Sequence, residues 1–342
     1  MNNLFYICLF ILGMMFGSFA SVLIYRLKSG EKGILTGRSH CNSCGHVLNY
    51  LDLIPIFSYL FNFGKCKYCK KKVASVYPLL EISSGLLYLL IGYFLVDFSL
   101  LLSGNILEIT RLLFFLIIGL LSIIYTFYDV LFLEIHEKVL LVGVIFSLII
   151  LSLQTLFPSF QVISFLPIMS ESLSTGLLSI LLSFIIVGLL YTIMLKGLKE
   201  IYDIIIIVGI ILSLLGFKYF FNVELSNIPI FSGIIGSLGL FTFFFLQILV
   251  SRGVWMGGGD LRIAILIGSI LGIPLTFAGG MITYLVGSVI GISLIIYSRL
   301  KKLKNGTKMD TQIPFGPFLA IGFFLTLFYQ NEILNFIEIY FG

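Results

Sequence analysis

The sequence predicts an all-α polytopic membrane protein of about ten transmembrane helices, with a small cytoplasmic zinc-binding insertion. Three observations predict it. Of 342 residues, 59% are hydrophobic and 11% charged, and the mean hydropathy is +1.13, which leaves too little polar surface to coat a soluble globule. Apolar runs recur near 4–25, 79–100, 109–128, 138–157, 174–195, 204–221, 229–250, 261–278, 279–298 and 313–330. Most approach the roughly 20 residues that cross a hydrocarbon core of ~30 Å. Finally, four of the five cysteines fall in the one sizeable polar stretch, 27–78.

Taken in order, the run at 4–25 reads as a retained first helix within a first segment, 1–26. Residues 1–3 carry no Lys or Arg, and the run is longer than the apolar part of a cleavable signal. The pair 261–278 and 279–298 is joined only by 278-AGG-280, which predicts a tight hairpin there. Threading ten spans alternately puts 19 of the 21 Lys and Arg on one side, leaving only Arg111 and Lys218 on the other. Basic residues stay in the cytoplasm, so both chain ends are expected outside and 27–78 inside. The net charge of +5 is then a topology signal. Nucleic-acid binding is not expected, because it would need a soluble basic face.

Segment 27–78 carries Cys41/Cys44 and Cys66/Cys69, two C-x-x-C pairs separated by 21 residues. Such a pattern presents four thiolates to one tetrahedral ion. Disulfides are the alternative, but they rarely persist in the reducing compartment expected for this loop. Zinc is therefore predicted, and in a structural role, since four thiolates leave no open coordination position. His40 and His46 flank the first pair as substitute ligands, and Cys8 reads as an ordinary buried thiol.

The remaining segment, 79–342, carries 256-MGGGDLR-262. Asp260 stands at the start of an apolar helix, where backbone N–H groups favour a carboxylate and the apolar surroundings disfavour it. Gly257, Gly258 and Gly259 remove side chains in front of it, permit positive φ, and make room for a peptide substrate. An N-cap aspartate after a glycine-rich connection is the plainer explanation. Aspartyl hydrolysis needs a second acid. Asp129 ends the third apolar run in a strongly apolar setting, whereas Asp203 lies four residues from Lys199 and reads as a solvated helix start. Glu134 and Glu137 read as polar loop residues.

With these pieces on the page, the chain resembles the type IV prepilin peptidases, membrane aspartyl proteases with a Gly-x-Gly-Asp motif. The matching stretches are 17-GSFASVLIYRL-27, the double C-x-x-C block with 54-IPIFSYL-60, 77-YPLLE-81, Asp129, 256-MGGGDLR-262 and 313-IPFGPFLA-320. The resemblance implies that Asp129 and Asp260 are the catalytic pair. It also implies cleavage of the leader from prepilins or pseudopilins at the inner face of the bacterial cytoplasmic membrane. N-methylation of the new terminus with S-adenosylmethionine is implied as well. Three places depart from the family pattern: 135-IHE-137 replaces a Pro-containing turn, Arg262 stands where Lys is commoner, and Val76 stands where Arg is usual. The last departure leaves a peptidase without methyl transfer as an alternative. The two aspartates are 131 residues apart, which exceeds the family's usual spacing and predicts an extra helical pair in 158–228. From another class, a membrane transporter with a cytoplasmic zinc clip would also explain intramembrane acids and glycine breaks.

Overall fold

In hydrocarbon a chain satisfies its backbone by forming helices or a closed barrel, and apolar runs of about 20 residues suit helices. A computed structural model describes residues 2–30, 37–41, 43–169, 172–195, 200–305 and 313–341. Lys32, Lys196, Lys199 and Lys308, used above for orientation, lie outside the described residues. The helices are α1 (Asn2–Ser29), α2 (Phe57–Phe61), α3 (Val76–Phe94), α4 (Phe98–Leu102), α5 (Ile106–Phe132), α6 (Glu137–Leu156), α7 (Leu173–Leu195), α8 (Glu200–Phe221), α9 (Pro229–Ser251), α10 (Gly258–Asn305), α11 (Gly316–Phe328) and α12 (Gln330–Phe341). Among the described residues, extended pairing is limited to two isolated bridges, His40 with Val47 and Lys65 with Lys72. The chain divides into two compact units, residues 1–139 and 140–342.

Among the described residues, eight helices are long and apolar enough to cross a membrane, or nine when α11 and α12, bent by 76°, count as one span. The expected turn at 278–280 is not there. Those residues are helical, and the break lies at Gly272 (φ 59°, ψ −168°), two residues before Pro274. Glycine supplies the positive φ and proline lacks an N–H, so Gly-x-Pro interrupts the helix where Ala-Gly-Gly does not. Unbroken, the 48 residues of α10 would run about 72 Å, more than twice a hydrocarbon core. The limbs instead fold back: a Cβ on Gly279 would lie 2.6 Å from Leu271 Cδ1. Residues eight apart in a straight helix are separated by about 12 Å. Eight or nine spans among the described residues fall short of the ten expected, because the runs at 261–278 and 279–298 both lie in α10.

Helix packing in lipid draws on close backbone approach and hydroxyl bonds. In the first unit α1 lies on α3 through glycines: a Cβ on Gly13 would meet the Ser84 carbonyl oxygen at 2.5 Å, and one on Gly17 the Ser84 hydroxyl at 2.8 Å. In the second unit α9 lies on α10 in the same way, with Gly236 against the Gly268 carbonyl and Gly268 against Ser237. The Ser237 hydroxyl donates to Ile265 O at 2.9 Å, and Ser147 and Ser269 share a hydrogen bond of 2.8 Å. The helical pair α7 and α8 falls within 158–228. Gln154 fixes the connection leading to it, donating to Ile163 O at 3.0 Å and accepting from Ile163 N–H at 3.3 Å.

Candidate active site and metal centre

The approach to Asp260 is built by ending one helix and starting another. Arg252 (φ 51°) and Gly253 (φ 77°) are both left-handed and terminate α9, with Gly253 N–H donating to Ile248 O at 3.0 Å. Val254 and Trp255 follow, both exposed, the tryptophan at 70%. Gly257 and Gly258 are also exposed, and no atom lies within 4 Å of where a Gly258 side chain would begin. Gly257, Gly258 and Gly259 do not take positive φ; that conformation falls at Gly253 and Gly272, where the chain reverses. The expected room is present, but it comes from open space. Asp260 is the third residue of α10 and 6% exposed, not its N-cap. Its Oδ2 accepts the Gly257 N–H at 3.3 Å. That is the acidic half of a capping box; the glycine N-cap has no side chain to return the bond.

Asp129 belongs to the other compact unit. It sits in the last turn of α5, 6% exposed, beside a core that includes Ala20, Ile24, Leu80, Phe127 and Tyr128. Its carbonyl accepts the N–H of Leu133, a left-handed residue (φ 53°) that ends the helix. Glu134, in the loop beyond, is exposed and paired with Lys28 at 2.6 Å, as a polar loop residue should be.

Asp203 departs from expectation. It is 3% exposed, because it shares an inward stripe of α8 with the buried Ile207, Ile210, Leu214 and Phe217. The lysine expected beside it, Lys199, lies outside the described residues. Cys8 departs as well: it is exposed on α1, beside Ile7 and off the buried stripe of Leu9, Gly13 and Gly17.

Cys41, Cys44, Cys66 and Cys69 converge, with all four sulfurs within 4.8 Å of one another, a donor set able to hold a metal ion. Two matching knuckles bring them there. Cys41 N–H donates to His46 O and Gly45 N–H to Cys41 O; 25 residues on, Cys66 N–H donates to Lys71 O and Lys70 N–H to Cys66 O. The N–H groups of Ser43 and Cys44 hold the Cys41 thiol down at about 6. Cys44 is drawn down by the His46 N–H, but burial and the neighbouring Cys41 push it up to about 11. His46 is not in the donor set; its ring lies 3.6 Å from that of Tyr68.

Residues 11–95 match the family described as Bacterial Peptidase A24 N-terminal domain. A Bacillus subtilis (strain 168) protein named "Prepilin leader peptidase/N-methyltransferase" is 24% identical over 328 residues, 96% of each chain. The chain is thus similar, over nearly its whole length, to prepilin leader peptidases. A Pseudomonas aeruginosa relative of the same name is 24% identical over 96% of this chain and 92% of its own. A Myxococcus xanthus (strain DK1622) relative is 40% identical over 85 residues, a quarter of either chain. No solved structure matches.

Two residues that sequence reasoning quotes but gives no role prove to be buried charges. Arg26 and Glu81 are each 8% exposed. The available signal was a charged residue one turn inside an apolar helix at either end of the cysteine segment.

Proposed function

We propose that the protein is a membrane aspartyl endopeptidase that removes the leader of type IV prepilins or pseudopilins and N-methylates the exposed N-terminus. The relatives' printed name supports both activities. The observation that carries the peptidase reading is the buried carboxylate of Asp260 immediately behind the exposed, side-chain-free Gly257 and Gly258. An extended peptide junction can approach a backbone there that a side chain would hold off.

Asp129 and Asp260 act in this reading as acid and base. One carboxylate takes a proton from water as its oxygen attacks the scissile carbonyl; the other gives a proton to the departing amine as the C–N bond breaks. Helix ends suggest the division of labour. The N–H groups at the start of α10 favour negative charge at Asp260, which suits it to receive the proton. Asp129, at the opposite end of its own helix, is suited to give one.

The four cysteines fit zinc by donor type, and a shell of four thiolates suits structure rather than catalysis. The ion would join the two knuckles into one folded module. Basic-residue asymmetry supports an orientation in the bacterial cytoplasmic membrane with the module and both aspartates on the cytoplasmic side. S-adenosylmethionine would supply the methyl group.

The test incubates purified protein with a prepilin and S-adenosylmethionine and weighs the product, beside Asp129→Asn and Asp260→Asn. Each variant should lose cleavage by at least about a thousandfold, the scale of removing an acid or base and its charge. Undiminished cleavage by either variant removes that residue from the mechanism. A mature chain without a methyl-sized gain in mass removes the transferase.

A further inference from the structure

The cysteine segment is the polar part of the chain, yet α2 within it sorts its side chains by face. Ser58, Tyr59 and, just past the helix, Asn62 line a cavity bounded by α1 and the start of α3. Phe57, Leu60 and Phe61, at i, i+3 and i+4, point the other way and are exposed, the two phenylalanine rings stacked at 6.5 Å between centroids. Phe63 follows at φ 51°, one residue past the helix cap, where glycine is usual, and is 89% exposed. A left-handed phenylalanine facing water is disfavoured twice, by its backbone and by its ring.

Two tethers fix where this face lies. Glu81, the sixth residue of α3, accepts the Ile56 N–H on Oε2 at 2.7 Å, so α2 begins beside the second turn of α3 and not beyond its end. Arg26, three residues before the end of α1, donates from Nη2 to Gly37 O at 2.8 Å and Arg38 O at 3.1 Å. The 19 residues of α3 span about 29 Å, no more than the hydrocarbon core of ~30 Å that they must cross. Its second turn therefore lies inside the bilayer boundary, and α2 sits at that level.

The charges beside this face have one sign. Lys65, Lys67, Lys70, Lys71 and Lys72 are all exposed, and no acidic residue occurs between Asp52 and Glu81. Lys65 and Lys72 oppose each other across an antiparallel bridge, where like charges repel.

We infer that the outward face of α2, with Phe63 and the lysine run after it, is a docking surface for acidic phospholipid. The module lies on the membrane, its aromatic side chains in the boundary between headgroups and acyl chains and its lysines on lipid phosphates. A phosphate at Lys65 and Lys72 turns their repulsion into attraction. The lipid is always within reach, because both ends of the module continue into membrane helices. Cys66 and Cys69 lie within the lysine run, so the knuckle they form also sets the arrangement of its charges. Docking of this kind is independent of catalysis and is measured without cleavage.

The test places the full-length protein in nanodiscs of phosphatidylglycerol and phosphatidylcholine in equal parts, with zinc content and melting followed in parallel. Trp255 is the single tryptophan, so Trp255→Phe gives a dark background for Phe61→Trp or Phe63→Trp. Acyl-chain-brominated lipid should quench the emission of each at least twofold. Aqueous acrylamide should quench each at least threefold less than it quenches free tryptophan. Phe63→Trp carries the test if Phe61→Trp fails to fold. Acrylamide quenching close to that of free tryptophan, without quenching by bromine, leaves the face in water and overturns the inference. Protection from both quenchers overturns it in favour of a protein cover such as a second copy. Phosphatidylcholine alone should raise acrylamide quenching at least twofold, and Lys65→Gln with Lys72→Gln should remove at least half of that lipid dependence. Equal quenching in the two lipids overturns the choice of acidic lipid, and a dependence unchanged by the lysine substitutions overturns the role given to those lysines.

Discussion

Gly45 and Lys70 hold the same place in the two cysteine knuckles, each one residue after the second cysteine of its pair, at φ 69° and φ 58°. The backbone demand is the same, and only one knuckle meets it with glycine. A side chain in the left-handed region costs on the order of 1 kcal/mol. Lys70→Gly should therefore slow metal release to a chelator by about two- to fivefold, after allowance for glycine's greater freedom when unfolded. Gly45→Val should speed it by at least that much. No atom lies within 4 Å of a Cβ at Gly45, so the effect is conformational. Equal release rates across the series would show that the turn does not limit metal retention.

Removing one thiolate from a closed four-sulfur shell leaves a position that serine fills poorly. Cys41→Ser and Cys66→Ser should each lose the zinc ion that the proposal assigns to these cysteines, read by elemental analysis of purified protein. Zinc content equal to wild type in both would exclude the cysteine centre as its site.

Asp203 tests the choice of acid. It is as buried as the two proposed catalytic aspartates, so burial does not separate the three. The proposal assigns it no proton-transfer role, and Asp203→Asn should keep prepilin cleavage within about threefold, in contrast to the thousandfold losses expected at Asp129 and Asp260. Cleavage lost to the same degree would move Asp203 into the catalytic pair.

His136, in the loop between α5 and α6, has its imidazole pKa lowered by burial and then by the nearby Lys138. Its Nδ1 is buried without a hydrogen-bond partner. Because the native state takes up its proton less readily than the unfolded chain, the contribution to stability is complete above the unfolded value of about 6.5. It is lost as pH falls through the lowered native value. Between pH 7.5 and 5.5 the melting temperature of wild type in detergent should fall further than that of His136→Asn. Parallel curves would assign the acid sensitivity elsewhere.

Glycine contacts make a sharper stability test. A Cβ on Gly268 would stand 2.5 Å from Ser237 Cα, a backbone atom that cannot step aside, whereas Gly188 has nothing within 4 Å. Gly268→Val should destabilise by about 3 kcal/mol or more. Gly188→Ala, in the middle of α7, should be neutral or stabilising by up to about 1 kcal/mol. Thermal unfolding of the two variants against wild type measures both.

Much of this architecture is legible in the sequence because its signals are local. Span length and the C-x-x-C spacing depend on short stretches of chain, and the helices and the converging sulfurs follow them. Asp203 misleads because a neighbouring lysine suggests solvent, whereas burial depends on which helical stripe faces the fold; its register with Ile207, Ile210 and Leu214 carries that information. Cys8 misleads for the converse reason, since an apolar helix in lipid needs no buried face at every position. Ala-Gly-Gly suggests a hairpin by its glycine content, although only a glycine paired with a nearby proline both permits the turn and removes a donor. The burial of Arg26 and Glu81 is hidden because their surroundings are assembled from segments up to 63 residues apart.

The chain reversal at Gly272 has a consequence for the host membrane. The limb before it, residues 258–271, reaches only about 21 Å against a hydrocarbon slab of ~30 Å, while the Ile273 N–H exposed by the reversal is satisfied by Ser232 Oγ at 3.1 Å. With that donor already quenched, what is left is hydrophobic mismatch, and the surrounding lipid must thin to meet the shortened segment. Acyl-chain length thereby becomes a setting on the protein, with shorter lipids relieving a deformation that longer ones would impose.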